Sequence, residues 1–262
     1  MKICFVGFGN MAKAIAHGLC KQGSYQISAT SPSLPEGQTL EGILTHSDNS
    51  IGVTDADIVI LAVKPAKVAE VLQLIKTVLP KHCLLISVAA GISLSWLEQY
   101  CAEGQGIIRS MPNIPISIEK GATPLIANHH VSPTQKSWAE ELFQCSGIIS
   151  WVKEEKDIDA FTALSGSGPA YVFYFLEAMI DAAIKLGLND EIARRFALQT
   201  VSGAVELASG SQLAIDELRK KVTSPAGTTA AAIAILEQQG FAKLLFEAMD
   251  AAYKRAKELG KS

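Results

Sequence analysis

The first 150 residues or so alternate short apolar runs with amphipathic stretches. The clearest run, residues 57–63 (DIVILAV), is apolar at successive positions, which is typical of a parallel strand buried on both faces. Similar runs predict strands at residues 3–6, 25–30, 84–88, 106–109 and 123–127, and helices at residues 10–21, from Pro65 and from Ser132. Residues 31–50 lack this pattern and are predicted as loop. Strands that alternate with helices predict an α/β fold with a doubly wound parallel sheet.

The pattern changes after about residue 151, where strand-like runs cease. Helical periodicity then covers residues 158–164, 169–186, 190–208, 214–222, 228–239 and 241–259, with glycines between the segments. We therefore predict two domains, a sheet domain at residues 1–153 and an all-helical domain at residues 154–262.

The helix at residues 170–186 bears on assembly. Its only charged residues, Glu177, Asp181 and Lys185, are spaced i, i+4, i+8 and form one narrow polar stripe. A helix that is apolar on all other sides must be buried there, and a domain of about 110 residues has little interior to enclose it. It is either the central helix of a bundle or is covered by partner subunits, most simply across a two-fold axis. We favour the second interpretation.

Composition narrows the classes of function. The chain is 48% hydrophobic and 19% charged, as expected of a globular protein, and its net charge of -3 predicts no nucleic-acid partner. No apolar stretch approaches the length of a membrane span. The N-terminus superficially resembles a signal peptide, but Gly7 and Gly9 interrupt its apolar region and Lys13 falls in the would-be cleavage site. We therefore expect a cytoplasmic protein without a membrane partner.

The five cysteines are scattered, odd in number and without a C-x-x-C pair. They predict reduced thiols rather than disulfides. Neither they nor the five histidines have metal-ligand spacing, so no metal site is predicted.

Residues 7–12 (GFGNMA) form a G-x-G-x-x-A motif directly after the first predicted strand. Gly7 permits a tight turn, Gly9 lets backbone N–H groups approach a pyrophosphate, and Ala12 allows close helix–strand packing. The free N–H groups of the following helix stabilise phosphate charge. The motif predicts a Rossmann-type dinucleotide-binding domain; the alternative is a glycine-rich turn without a ligand.

The choice of dinucleotide is made at the end of the second strand. Residues 30–33 (TSPS) contain no carboxylate that would repel a 2′-phosphate, and Ser31 and Ser33 can donate hydrogen bonds to one. This pattern favours NADPH, with NADH as the alternative cofactor. The two serines could instead cap a turn.

Several segments together resemble the pyrroline-5-carboxylate reductase family. They are VGFGNMA (residues 6–12), LAVKP (61–65), SVAAG (87–91), RSMPN (109–113), LSGSGPAY (164–171) and TSPAGTT (223–229). The resemblance implies an enzyme that reduces L-1-pyrroline-5-carboxylate to L-proline with NAD(P)H. It also implies that the helical domain forms a homodimer, with higher assembly in many relatives.

The resemblance also implies site residues. Those expected to line the dinucleotide are Phe5, Val6, Gly7, Phe8, Gly9, Asn10, Met11, Ser31, Ser33, Asn49, Ala62, Val63, Lys64, Pro65, Val88, Ala89 and Ala90. Those expected near the substrate are Glu155, Ser224, Gly227, Thr228 and Thr229, and Thr229 is the expected catalytic residue.

The residues of the TSPAGTT segment agree with this role. A turn that contains Pro225 and Gly227 leads into a helix, whose first N–H groups lack intrahelical partners and suit a substrate carboxylate. Thr229 could then hold the ring nitrogen; the alternative is a plain Ser/Thr helix cap. Ala226 stands where the family usually has glycine, and if φ is positive there its β-carbon costs roughly 1–2 kcal/mol.

Glu155 could favour a protonated imine electrostatically, or could be a solvated charge in the run KEEK at residues 153–156. The proton could come from Thr229 or from water. Two other functions stay open: a reductase of the same architecture for another cyclic imine or a β-hydroxyacid, and a non-catalytic NADPH-binding regulator.

Overall fold

The computed structural model describes residues 1–260, which form a nine-stranded sheet and eleven α-helices. The strands are β1 (Lys2–Val6), β2 (Gln26–Thr30), β3 (Gly37–Gln38), β4 (Leu44–His46), β5 (Ile58–Leu61), β6 (Leu84–Ser87), β7 (Ile107–Ser110), β8 (Gly121–Ala127) and β9 (Gly147–Trp151). The helices are α1 (Asn10–Gln22), α2 (Asn49–Val53), α3 (Val68–Ile75), α4 (Leu94–Tyr100), α5 (Pro133–Gln144), α6 (Glu155–Phe161), α7 (Gly168–Lys185), α8 (Asp190–Ser209), α9 (Ile215–Lys221), α10 (Thr228–Gln238) and α11 (Phe241–Leu259). Short 3-10 turns span Pro65–Lys67 and Ile114–Ile118, and a π-helical turn spans Thr162–Gly166.

The strand order is β3-β4-β2-β1-β5-β6-β7-β8-β9. The centre is parallel as predicted, but β3 pairs antiparallel with β4, and β8 pairs antiparallel with β7. The prediction of a wholly parallel sheet was therefore wrong at these two pairs. Between β7 and β8 the chain forms only a 3-10 turn, whereas a parallel return needs a longer crossover, usually a helix.

Alternate residues of β1 enter two different cores. Ile3 and Phe5 pack in a cluster that includes apolar residues of α1 and α5, and Cys4 and Val6 pack in a second cluster that includes residues of α3 and α4. Because a strand projects successive side chains to opposite faces, both faces of the sheet are covered by helices. The predicted doubly wound architecture is confirmed.

One local expectation was wrong, and two elements were not predicted. Residues 31–50 are not a plain loop, because they contain β3, β4 and the start of α2. The sequence also did not predict α4 or β9. β3 and β4 span only two and three residues, and β9 lacks the fully buried apolar run that identified the predicted strands.

The chain divides into two compact units, one of residues 1–169 with the segment from Ala251 onward, and one of Ala170–Asp250. This division differs from the predicted boundary at residues 153/154. Helix α6 belongs with the sheet because Glu155 and Asp159 of α6 form ion pairs with Arg109 of β7. The last turns of α11 also belong to the first unit.

The second unit lacks an apolar core of its own. Within residues 170–250 only Ala193 and Ala197 are buried. No residue of α7 is buried, and Phe173 and Tyr174 are 64% and 74% exposed. The interpretation of α7 as the central helix of a single-chain bundle is therefore wrong. Exposed apolar surface of this extent marks an interaction surface, which favours the interpretation that partner subunits cover the helix.

All five cysteines are free thiols, as predicted. Burial raises the pKa of Cys4 and Cys101 to about 11 and that of Cys83 to about 12, so these thiols stay protonated at neutral pH. In the described residues, His, Cys, Asp and Glu form no group of three or more that could hold a metal ion. No helix within residues 1–260 has both the length and the apolar character needed to cross a membrane.

Candidate active site

The residues expected to line the dinucleotide gather at one edge of the sheet. Strands β2, β1, β5 and β6 are neighbours and parallel, so their carboxyl ends meet at this edge. Ligands of open α/β sheets bind in the crevice outside these ends, where the strand order reverses. The residues brought together here are the end of β1 and the turn after it (Phe5 to Met11), and residues that follow β2 (Ser31, Ser33), β5 (Ala62 to Pro65) and β6 (Val88 to Ala90), with Asn49 at the start of α2.

The two glycines of the loop after β1 have different surroundings. Gly7 has a φ of +88°, donates its N–H to the carbonyl oxygen of Thr30 at 2.8 Å, and would place a β-carbon 2.7 Å from the carbonyl oxygen of Ala62. Gly7 is therefore required by the turn itself. At Gly9, the N-cap of α1, an added β-carbon would meet no atom within 4 Å. The space beside Gly9 is open to a ligand.

This edge fits a dinucleotide. No side chain caps the start of α1, so its first N–H groups are available to a pyrophosphate. Asn49 is only 6% exposed, and its Oδ1 has no hydrogen-bond partner within the described part of the chain. A buried polar atom without a partner is costly, and a hydroxyl or amide of a bound nucleotide would satisfy it.

Ser31 and Ser33 lie together at the end of β2, with their hydroxyl oxygens 3.1 Å apart. The nearest carboxylate in sequence, Glu36, accepts hydrogen bonds from the backbone N–H and hydroxyl of Ser47. These bonds lower the pKa of Glu36, which therefore stays charged but is already engaged. The pair of hydroxyls suits the recognition of a phosphate.

The loop after β6 is tied to both neighbouring strands. Val88 donates its N–H to the carbonyl oxygen of Leu61 in β5 at 3.2 Å, and the hydroxyl of Ser110 in β7 donates to the carbonyl oxygen of Ser87 at 3.1 Å. Ala89 donates its N–H to the hydroxyl of Ser87 at 3.3 Å. Val88 and Ala89, which are expected to line the dinucleotide, are thus held by hydrogen bonds to the sheet.

Glu155 is part of a partly buried ion cluster. The Arg109 side chain is 6% exposed and donates from Nη1 to Glu155 Oε1 at 2.9 Å and from Nη2 to Asp159 Oδ1 at 3.1 Å. Glu155 Oε1 also accepts the N–H of Leu94 at 2.8 Å. The alternative of a solvated surface charge is therefore wrong. One guanidinium faces two carboxylates, which leaves one negative charge in excess.

The sequence singled out neither Asp159 nor Asn113 as a functional residue. Asn113 is buried; its Nδ2 donates to the carbonyl oxygen of Ser165 in the π-helical turn, and its Oδ1 accepts the N–H of Ala122 in β8. Gly166 also lies close to Met111, because a β-carbon added to Gly166 would be 3.1 Å from Met111 Cε. The RSMPN and LSGSGPAY segments are therefore in contact. The available signal was indirect: Arg109 and Ser110 are polar residues at the end of the otherwise apolar strand β7.

The TSPAGTT segment ends in the uncapped start of a helix. Ala226 has a φ of +57°, so the positive φ considered for this position is present. Gly227 is the N-cap of α10 and donates its N–H to the carbonyl oxygen of Ser224 at 3.1 Å. Thr228 and Thr229 are exposed and lie inside the helix rather than at its cap. The alternative of a Ser/Thr cap is therefore wrong, and the first N–H groups of α10 have no side-chain acceptor at the cap.

The two groups of residues lie in different compact units. All expected dinucleotide residues and Glu155 belong to the first unit, and residues 224–229 belong to the second. The first unit supplies an anion-binding turn and open space beside it, and the second supplies a helix N-terminus with two exposed hydroxyls.

Comparisons with known proteins cover both parts of the chain. The family model described as pyrroline-5-carboxylate reductase dimerisation matches residues 155–259. A second model, described as NADP oxidoreductase coenzyme F420-dependent, matches residues 2–91.

Full-length relatives are similar along the whole chain. The pyrroline-5-carboxylate reductase of Pseudomonas aeruginosa is 42% identical over 98% of this chain and 96% of its own. Solved structures of the enzymes from Coxiella burnetii and, with NADP bound, Plasmodium falciparum each superpose with a TM-score of 0.91 at 40% and 34% identity, covering 99% of this chain and 98% of theirs. The fold, the anion-binding turn and the full-length identity lead to one conclusion: the chain belongs to the pyrroline-5-carboxylate reductase family.

Proposed function

We propose that this protein reduces L-1-pyrroline-5-carboxylate to L-proline with NADPH, the final step of proline biosynthesis. The observation that carries the proposal is the start of α10, where a glycine N-cap leaves backbone N–H groups available beside two exposed threonine hydroxyls. An anionic cyclic imine matches these groups, since a carboxylate suits a helix N-terminus and a ring nitrogen suits a hydroxyl.

The dinucleotide is held at the carboxyl edge of the sheet. When bound, NADPH supplies the hydride that adds to C5 of the imine. The turn at Gly7 to Asn10 receives the pyrophosphate, the orphaned Asn49 Oδ1 accepts from the nucleoside, and residues 62–65 and 88–90 line the nicotinamide half. The hydroxyls of Ser31 and Ser33 support NADPH over NADH as the preferred cofactor, and NADP is bound in the relative from Plasmodium falciparum.

The substrate is held by residues 224–229. The N–H groups of the first turn of α10 bind the carboxylate, and Ser224, Gly227 and Thr228 lie beside them. Thr229 orients the ring nitrogen through its hydroxyl, which keeps the C=N bond in a reactive position. The nitrogen takes up one proton as hydride adds to C5, and Thr229 or a water molecule donates it.

Glu155 contributes through the ion cluster rather than as an isolated carboxylate. The excess negative charge of Arg109, Glu155 and Asp159 favours a cation nearby. A protonated imine accepts hydride better than a neutral one, so this charge raises reactivity. Glu155 is therefore assigned to the substrate end of the site as an electrostatic residue.

The helical unit carries the assembly. Its match to a dimerisation family model and its exposed apolar side chains indicate a homo-oligomer. We assign a homodimer formed through the helical domain, with higher assembly built from dimers, in the cytoplasm. The only other partner assigned is the small-molecule substrate.

The test follows NADPH oxidation with pyrroline-5-carboxylate in the wild type, Thr229→Ala and a matched control, Thr200→Ala, in which a helical threonine of α8 is changed. Loss of the hydroxyl that orients the substrate lowers kcat/KM by about a hundredfold or more in Thr229→Ala and leaves NADPH affinity unchanged. Thr200→Ala behaves as the wild type. A pure wild type that binds NADPH but reduces only other imines or β-ketoacids, or nothing, rejects the proposed reaction.

A further inference from the structure

The loop between β6 and α4 is held on one side by the ion cluster. Ser93 accepts the N–H of Trp96 as the N-cap of α4, and Leu94 donates its N–H to Glu155. The residues that precede them, Val88 to Ala90, are those assigned to the nicotinamide half of the cofactor. Gly91, the next residue in the loop, is buried. Its contacts determine how residues 88–90 are held on the side away from the ion cluster.

Gly91 is in direct contact with the end of the last helix. It has a φ of +78°, and an added β-carbon would lie 2.8 Å from Leu259 Cβ and 2.9 Å from the carbonyl carbon of Leu259. In the other direction, a β-carbon on Gly260 would lie 2.9 Å from the carbonyl oxygen of Gly91. The two main chains therefore approach so closely that neither glycine tolerates a side chain without movement.

The carboxyl end of α11 is packed against the rest of its unit and is hydrogen-bonded. Ala256, one turn before Gly260, is 6% exposed and accepts the N–H of Gly260 at 3.2 Å. This part of α11 belongs to the same compact unit as the β6–α4 loop. A glycine in the left-handed region has wide conformational freedom when nothing surrounds it, and here the helix end removes that freedom.

We propose that the carboxyl end of α11 is a positioning element for the cofactor, which acts through Gly91 to fix residues 88–90 before NADPH binds. The inference rests on the proposed function only in assigning those residues to the dinucleotide. A loop that is ordered in the free protein loses less entropy on binding, so the contact raises NADPH affinity without touching the substrate.

The test compares Gly91→Ala with Gly104→Ala. Gly104 has a φ of +79°, almost the same as Gly91, but a β-carbon there meets no atom within 4 Å. Both variants therefore introduce the same backbone strain, and only Gly91→Ala displaces the helix end. NADPH dissociation constants are measured by the fluorescence of the bound nucleotide, and melting temperatures without cofactor establish that each variant is folded.

Gly91→Ala is expected to weaken NADPH binding by about tenfold, with Gly104→Ala within about twofold of the wild type, as lost preorganisation predicts. At saturating NADPH, kcat and the KM for pyrroline-5-carboxylate stay near the wild-type values in Gly91→Ala. A loss of overall structure would instead lower kcat as well.

A second variant covers the case in which Gly91→Ala does not fold. A chain that stops after Glu258 lacks the contact without any change in the loop, and it also weakens NADPH binding. Combined with Gly91→Ala, it gives no further loss, because both changes remove one interaction. Wild-type NADPH affinity in the shortened chain overturns the inference, as does equal weakening in Gly91→Ala and Gly104→Ala. Turnover by the wild type, measured alongside, tests the proposed reaction separately.

Discussion

Asn113, in the segment after β7, donates a 2.9 Å hydrogen bond from Nδ2 to the carbonyl oxygen of Ser165 in the π-helical turn. These residues lie in two of the segments that characterise the family, and nothing in their local sequence pattern relates them. The π-helical turn leaves backbone groups outside the regular α-helical ladder, and such turns are frequent at functional sites. Asn113 therefore fixes an irregular segment against the sheet.

Asn113→Ala is expected to destabilise the protein by about 1–3 kcal/mol, because the carbonyl of Ser165 and the N–H of Ala122 lose their partner in a buried position. Asn113→Asp keeps the acceptor for Ala122 but loses the donor. Asn113→Asp is therefore also expected to be less stable than the wild type. Urea unfolding at one protein concentration measures both, and wild-type stability in Asn113→Ala would contradict the role given to this amide.

Arg109→Met is expected to cost about 2–4 kcal/mol, somewhat less than a fully buried pair, because Glu155 and Asp159 are left unpaired but keep 30% and 14% of their side chains exposed. The triple variant Arg109→Met, Glu155→Gln, Asp159→Asn removes the charges together and should recover part of that loss. Denaturant unfolding distinguishes the two. A triple variant less stable than Arg109→Met would show that the carboxylates stabilise the fold without the arginine.

Gly7→Ala and Gly9→Ala are expected to impair different properties: stability in the first and NADPH binding in the second. Gly7→Ala lowers the melting temperature of the free protein, because its β-carbon meets the carbonyl of Ala62 at a positive φ. Gly9→Ala leaves the melting temperature unchanged but weakens NADPH binding by about tenfold or more, since its β-carbon enters the space for the pyrophosphate. Thermal denaturation with and without NADPH tests both, and undiminished binding by Gly9→Ala would place the pyrophosphate elsewhere.

Ser31→Asp is expected to weaken NADPH binding by about tenfold or more and to weaken NADH binding much less, because a carboxylate at the end of β2 repels the 2′-phosphate. Ser31→Ala is the control, since it removes the hydroxyl without adding charge. The ratio of kcat/KM for the two cofactors is the measurement. An unchanged ratio in Ser31→Asp would contradict the assignment of the serines to the phosphate.

Ala226→Gly is expected to stabilise the protein by about 0.5–1 kcal/mol, the difference between roughly 1–2 kcal/mol of relieved left-handed strain and about 0.4–1 kcal/mol of unfolded-chain entropy. The matched control is Ala232→Gly inside α10, which destabilises by roughly 0.5–1 kcal/mol because its φ is helical. Both are compared by urea unfolding. A destabilised Ala226→Gly would mean that the methyl group makes a contact worth more than the strain.

The sequence was sufficient for those parts of the fold that have a continuous apolar run, a glycine motif or a long periodic segment. The buried strand β5, the turn at Gly7 and the helices α7, α8 and α11 all follow from spacing alone. The two-residue strand β3 could not be predicted, because Gly37 and Gln38 are both exposed and form no apolar pattern. The antiparallel direction of β8 could not be predicted, because it depends on the short connection from β7, which contains a 3-10 turn and no crossover helix.

The candidate site was predictable where one local motif defines it. The glycine turn and the start of α10 carry their chemistry in consecutive residues. The Arg109 cluster and the Asn113–Ser165 hydrogen bond join residues about 50 positions apart in the sequence. The contact between Gly91 and Leu259 joins residues that are farther apart still. Such contacts form only in the packed tertiary structure, and no periodic pattern of the sequence predicts them.

The scarcity of buried side chains in Ala170–Asp250 has a thermodynamic consequence. We expect a helix such as α7 to gain most of its burial from another protomer, in which case association and folding are linked by mass action. The melting temperature of this protein should therefore rise with its concentration, and dilution alone should promote unfolding of the helical segment.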